Sequence, residues 1–239
     1  MKLAEDVPGL PSIHKTEPET EDYLKWSQRL ALAFTARWLL ILTTVAGMYL
    51  GLGLLAPLLM MQGWQSFGRT IYALYSPFCH QFAHRSWFFF GQSSSPSYEQ
   101  FLRMTGIDPI TPTDSMAVRS FLGNPTIGWK TAYCQRDMAI YAGVLIASLL
   151  YALLRACRIR IWRAPWLLYL LVGLAPIALD SISQMLSQYH FLLPAMLLRE
   201  STPMLRTLTG VLFGGMNVWF AYPHVEGWMM EIRQRYVQV

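Results

Sequence analysis

Apolar residues gather along the chain into four runs, separated by polar or basic segments. The first, WLLILTTVAGMYLGLGLLAPLLMM at 38–61, lies in a stretch from Trp38 to Gly68 without Asp, Glu, Lys, Arg or His. It meets the requirement of about 20 apolar residues for a spanning helix. Three shorter runs follow at 138–154, 164–179 and 207–223, each of 16 or 17 residues. That is near the lower limit for crossing a bilayer, so their polar ends must sit at the interface. The pattern predicts an all-α integral membrane protein. Its fold is read as a four-transmembrane-helix bundle with a long extracytoplasmic loop between the first and second spans. A soluble protein with four buried helices fits less well, because the first run is too long and too free of charge.

The polar segments set the orientation. The link RACRIRIWR at 155–163 carries four Arg and no acid, and short basic loops stay cytoplasmic. Both termini are then cytoplasmic, and the protein is a multi-pass protein of the cell membrane. Residues 1–37 read as a cytoplasmic tail and amphipathic segment, 38–223 as the membrane domain and 224–239 as a C-terminal tail. The tail to about residue 22 is rich in Glu, Asp and Pro, a composition that predicts disorder; 23–37 would lie along the inner surface. Residues 1–30 hold no apolar core of a signal peptide, so the first span would act as an uncleaved anchor. The outer segments are 62–137 and 180–206. Within the first, RSWFFFG is expected to lie against the bilayer, while QSSSPSYEQ and DPITPTDS are expected to be turns.

Composition sharpens this reading. Charged residues make up only 14% of the chain and apolar ones 54%, against about a quarter charged in soluble domains. Much of the surface therefore faces lipid. The net charge of +5 fits topology and attraction to anionic lipid, and no base-stacking or basic-groove pattern points to nucleic acid. The expected partners are the lipid bilayer and a membrane-protein partner or second copy. No internal repeat supports an inverted-repeat transporter. No nucleotide fingerprint, phosphate loop, nucleophile elbow or HExxH motif assigns an enzyme class.

With this topology the chemistry-bearing residues fall on the outer side. LYSPFCHQFAHRS supplies Cys79, His80, Gln81 and Arg85; YCQRD supplies Cys134, Arg136 and Asp137; LDSISQ supplies Asp180 and Gln184; RESTPMLR supplies Glu200 and Arg206. Ionisable groups at membrane depth are costly and usually face the bundle and pair. Cys134 and Asp137 are three apart, on one helical face, and Asp180 and Gln184 are four apart. Cys79, His80, Cys134 and Asp137 are candidate ligands for zinc or another divalent metal. Asp180, Glu200 and Arg206 are then catalytic candidates, with Asp180 or Glu200 as base toward a bound water. Other readings stay open: a Cys79–Cys134 disulfide in a structural or accessory subunit, a redox-active thiol pair, a transporter, and Arg136–Asp180 and Arg206–Glu200 as packing ion pairs. His84 reads as a solvated residue or as sharing a face with His80. Gly47 with Gly51 and Gly210 with Gly214 read as helix-packing pairs. Pro176 predicts a kink, and Thr202 with Pro203 a helix start.

These residues also carry a resemblance. Cys79-His80-Gln81 with Arg85-Ser86, Cys134 to Asp137, Pro176 with Asp180 and Gln184, and Glu200-Ser201 with Arg206 and Thr209-Gly210 resemble the motifs of an uncharacterised membrane-protein family of bacteria and archaea. That family is classed only as a domain of unknown function. The resemblance runs from about residue 70 to 223. It implies that the motifs act as one unit and implies no reaction. Residues 92–127 look like an insertion relative to compact members, and Ser181 stands where many members have Gly.

Overall fold

The computed structural model describes residues 18–108, 115–188 and 200–237. Helices follow the apolar runs. α1 covers Pro18–Met61 and stops at Gly63, whose φ of +83° breaks the helical path. This left-handed conformation suits glycine, which has no Cβ to clash. α1 begins inside the stretch read as a disordered tail; residues 1–17 lie outside the described part. Among the described residues, three helices are long and apolar enough to cross a membrane: Lys25–Met61, Gln135–Ala156 and Trp166–Leu186. The fourth run lies in α8 (Pro203–Val237), where Thr, Gly and Asn dilute the apolar residues, and α8 is not one of the three.

The chain divides into two units, Met1–Trp38 with Trp228–Val239 and Leu39–Gly227. In the first, Trp26, Leu30 and Phe34 recur every four residues and are exposed, an apolar stripe on one helical face.

The second unit holds the candidate site. After α1 come α2 (Gln65–Tyr75), a single turn at Ala83–Arg85 and β1 (Ser86–Phe89). Then follow α3 (Tyr98–Thr105), α4 (Ser115–Ser120), β2 (Gly123–Asn124) and β3 (Gly128–Cys134). The strands form an antiparallel sheet in the order β1-β3-β2, with Ser86 opposite Cys134 and Phe89 opposite Trp129. The all-helical reading did not include this sheet. The segment RSWFFFG contributes its first strand. Alternating residues make that segment a strand, with Ser86 and Phe88 inside and Phe89 and Phe90 outside. Phe88 packs with Ala83, Phe101, Val118 and Ile127 in a small core of the outer segment. The stretch read as turns around Ser97 starts α3 instead. Ser97 and Gln100 exchange hydrogen bonds as a capping box, and Gly106 ends the helix at a φ of +71°. Residues 109–114, within DPITPTDS, lie outside the described residues.

α5 (Gln135–Ala156) follows β3 directly. α6 (Trp166–Leu168), a π-helical segment (Tyr169–Leu174) and α7 (Ala175–Gln188) run on from one another. The irregularity expected at Pro176 thus falls in the turn before it. Proline cannot donate to a carbonyl four residues back and its ring crowds that carbonyl, so the wider register relieves the clash. α8 opens as expected, with the Leu205 amide donating to the Thr202 hydroxyl at 3.2 Å. Gly210 and Gly214 are true packing glycines. A Cβ at Gly214 would stand 2.1 Å from the Ile140 carbonyl oxygen, and one at Gly210 2.8 Å from that of Arg136. Gly51 is not, because a Cβ there meets none of the described residues within 4 Å.

Candidate functional site

The strand-to-helix junction at Cys134 organises the site. Cys134 ends β3 and occupies the N-cap position of α5, and Asp137 lies in the first turn. A helix N-terminus favours thiolate and carboxylate through its unpaired amides. Cys79 approaches from the end of α2. One ligand atom each of Cys79, Cys134 and Asp137 lie within 4.8 Å of one another. Cys79 and Cys134 are free thiols, so the disulfide reading is set aside. His80 does not join them: it is exposed, and its ring stacks on Phe82 with centroids 5.7 Å apart.

The backbone supports the trio. The Cys79 sulfur accepts the amide of Cys134 at 3.3 Å and that of Gln81 at 3.5 Å. Gln81 reaches this position with a left-handed φ of 54°, held by its side-chain amide donating at 2.8 Å to the carbonyls of Tyr72 and Ala132. Such strain in a non-glycine residue persists only where the surroundings over-determine it. Hydrogen bonding to Cys134, and then burial, push the Cys79 thiol up, while that same bond draws Cys134 down. Lys130 is fully buried beneath, and its ammonium donates at 2.7 Å to the carbonyls of Gln81 and Arg119. Burial lowers its pKa to about 7.

The remaining polar residues form two ion-pair groups. Arg136 pairs with Asp180 and donates to the Ser181 hydroxyl at 2.6 Å, and the Ser201 hydroxyl donates to Asp180 at 2.8 Å. Glu200 receives a forked pair from Arg85, at 2.8 and 3.0 Å, and also pairs with Arg206. His84 is buried, with Nε2 3.6 Å from Glu200, so neither the solvated nor the His80-sharing reading describes it. Burial would raise the Glu200 carboxyl, yet His84, Arg85 and Arg206 outweigh it and hold it at about 2. A carboxylate so acidic is a weak base at neutral pH. Arg206 also donates to Gln135 at 3.1 Å, and Gln135 donates to the Ser95 hydroxyl at 2.8 Å. Gln184 is buried in α7 near Asp180, four residues on.

Successive residues of one short stretch thus make three separate sets of contacts. Cys134 and Asp137 meet Cys79, Gln135 meets Arg206, and Arg136 meets Asp180. Residues 115–220 match the family described as Predicted membrane protein (DUF2085). Over that stretch the chain is similar to the family whose motifs it resembles. The stretch contains Cys134, Asp137, Asp180, Glu200 and Arg206 and begins after Cys79, a narrower range than the motifs outlined. An uncharacterized protein of Methanocaldococcus jannaschii is 26% identical over 160 residues, which are 67% of this chain and 71% of its own length. No solved structure matches the chain.

Sequence reading assigned no separate role to Gln135 or Ser201 and did not single out Lys130. Gln135 and Ser201 stand inside the motifs Cys134 to Asp137 and Glu200-Ser201, but their uncharged side chains give no signal of the partner each meets. Lys130 stands alone in a strand, where a lysine ordinarily faces water.

Proposed function

We propose that the chain is a four-span membrane protein, with both termini cytoplasmic, that carries a metal centre at its outer face. Cys79, Cys134 and Asp137 would hold zinc or another divalent cation. The convergence of their ligand atoms within 4.8 Å carries this reading. The two amides donating to the Cys79 sulfur support it, since they fix that sulfur beside Cys134. Two sulfurs and one carboxylate leave a tetrahedral ion one open position, the arrangement of catalytic rather than closed structural sites. An ion in such a position would polarise a bound oxygen. The Arg136–Asp180 and Glu200–Arg85–Arg206 groups would hold the span ends around it.

Metal analysis of the purified full-length protein tests this. We expect about one metal per chain, lost in Cys79→Ser and Cys134→Ser and retained in His80→Ala. Wild type without stoichiometric metal would sink the proposal.

The ion pairs favour a second reading, an accessory subunit in which the polar groups only fix helix packing. It predicts that Cys79→Ser lowers thermal stability without changing metal content.

A further inference from the structure

Gly51 sits in the middle of the apolar run of α1, where glycine weakens a helix relative to alanine by about 1 kcal/mol. In helical bundles such glycines usually let another element come close. Gly53 does so: a Cβ there would stand 2.0 Å from the Tyr133 ring. Gly51 faces open space instead among the described residues. It forms part of a cleft of about 650 Å³, walled by Tyr49, Leu52 and Leu55 of α1 and by Leu74, Tyr75 and Phe78. That volume is within the range of small-molecule sites, roughly 300–1,000 Å³. The wall is apolar, and the Tyr75 hydroxyl is already bonded to the Tyr49 carbonyl.

Two observations indicate what fills it. The cleft lies along the candidate span Lys25–Met61, and Leu52, Leu74 and Phe78 are exposed on it. A trough of this kind in a spanning helix opens to hydrocarbon rather than to water. Its end at Phe78 adjoins Cys79, whose amide donates to the Tyr75 carbonyl at 3.0 Å. Tyr49, Tyr75, Cys79 and Cys134 belong to one packed cluster. A chain lying in the cleft therefore ends beside the thiol site.

We propose that the cleft takes an acyl chain of a membrane phospholipid, and that a phospholipid presented in this way is the substrate class of the Cys79–Cys134–Asp137 site. The substrate part rests on the metal reading above; the chain-binding part does not.

The test uses the full chain in nanodiscs containing phosphatidylglycerol with a diazirine on its acyl chain, with cross-links mapped by mass spectrometry. Metal content is measured on the same samples. Labelling should concentrate at 48–55 and 74–78, above that at the exposed Leu40 and Val45 of the same helix. Gly51→Phe should cut cleft labelling about tenfold or more, equivalent to about 1.4 kcal/mol of binding, with Leu40 and Val45 unchanged. Gly51→Ala, a smaller obstruction, should cut it less. Cleft labelling no higher than at Leu40 and Val45, or unchanged in Gly51→Phe, would overturn the inference. So would loss of a dimer in Gly51→Phe, which would assign the cleft to a second copy. Gly51-dependent labelling in a protein without metal would support the cleft and remove the metal reading. Bound metal without cleft labelling would do the reverse.

Discussion

The amide of Cys134 donates to the sulfur of Cys79 at 3.3 Å across 55 residues of chain. One bond joins the end of α2 to the start of α5 and brings both thiols beside Asp137. The spacing follows from the sheet, because β1 and β3 pair Ser86 with Cys134 and so anchor the loop that carries Cys79.

If the trio binds metal, its members are unequal. Removing either thiolate should abolish stoichiometric binding. Asp137→Asn keeps an oxygen donor but loses the charge, and should weaken affinity by about 10- to 100-fold. Competition with a chromogenic chelator reads this directly.

The Arg136–Asp180 pair predicts strong coupling. Asp180→Leu leaves a largely buried guanidinium unpaired and should cost about 3 kcal/mol or more. Arg136→Leu with Asp180→Leu should recover much of that loss. A double-mutant cycle on unfolding in detergent measures the coupling, and additive losses would show that the pair does not act as a unit.

Lys130 predicts a pH dependence. Its pKa falls from 10.5 to about 7 on folding, so the folded state releases its proton more readily than the unfolded chain. The contribution to stability is complete above 10.5 and is lost as pH falls through 7, a change of a few kcal/mol at most. Cys79 and Arg119 are the charged or titratable groups acting on it. Thermal unfolding between pH 7 and 10 should rise more steeply with pH in wild type than in Lys130→Met. Equal slopes would contradict the buried lysine.

The glycines predict opposite signs. Gly214→Ala should destabilise by about 1–3 kcal/mol through forced separation of α5 and α8, because its Cβ would meet the Ile140 carbonyl at 2.1 Å. Gly51→Ala should be neutral or stabilise by up to about 1 kcal/mol, because its Cβ meets none of the described residues. Parallel melting curves of the two variants decide it.

The sequence by itself determined that the chain carries membrane-spanning helices, since apolar runs of this length have no other stable surroundings. It also determined the Thr202–Pro203 helix start and the shared face of Cys134 and Asp137, because capping and helical periodicity are local. Only the tertiary structure decided which polar groups meet. His80 adjoins Cys79 in sequence yet points away from the trio, while Gln81, the next residue, binds its sulfur. The sheet of the outer segment was likewise hidden, because strand pairing between Ser86 and Cys134 depends on a partner 48 residues distant. Gly51 and Gly214 read alike in sequence, as members of small-residue pairs. What lies opposite each, open space or a backbone carbonyl, is set by the neighbouring helix and separates a cleft from a packing contact.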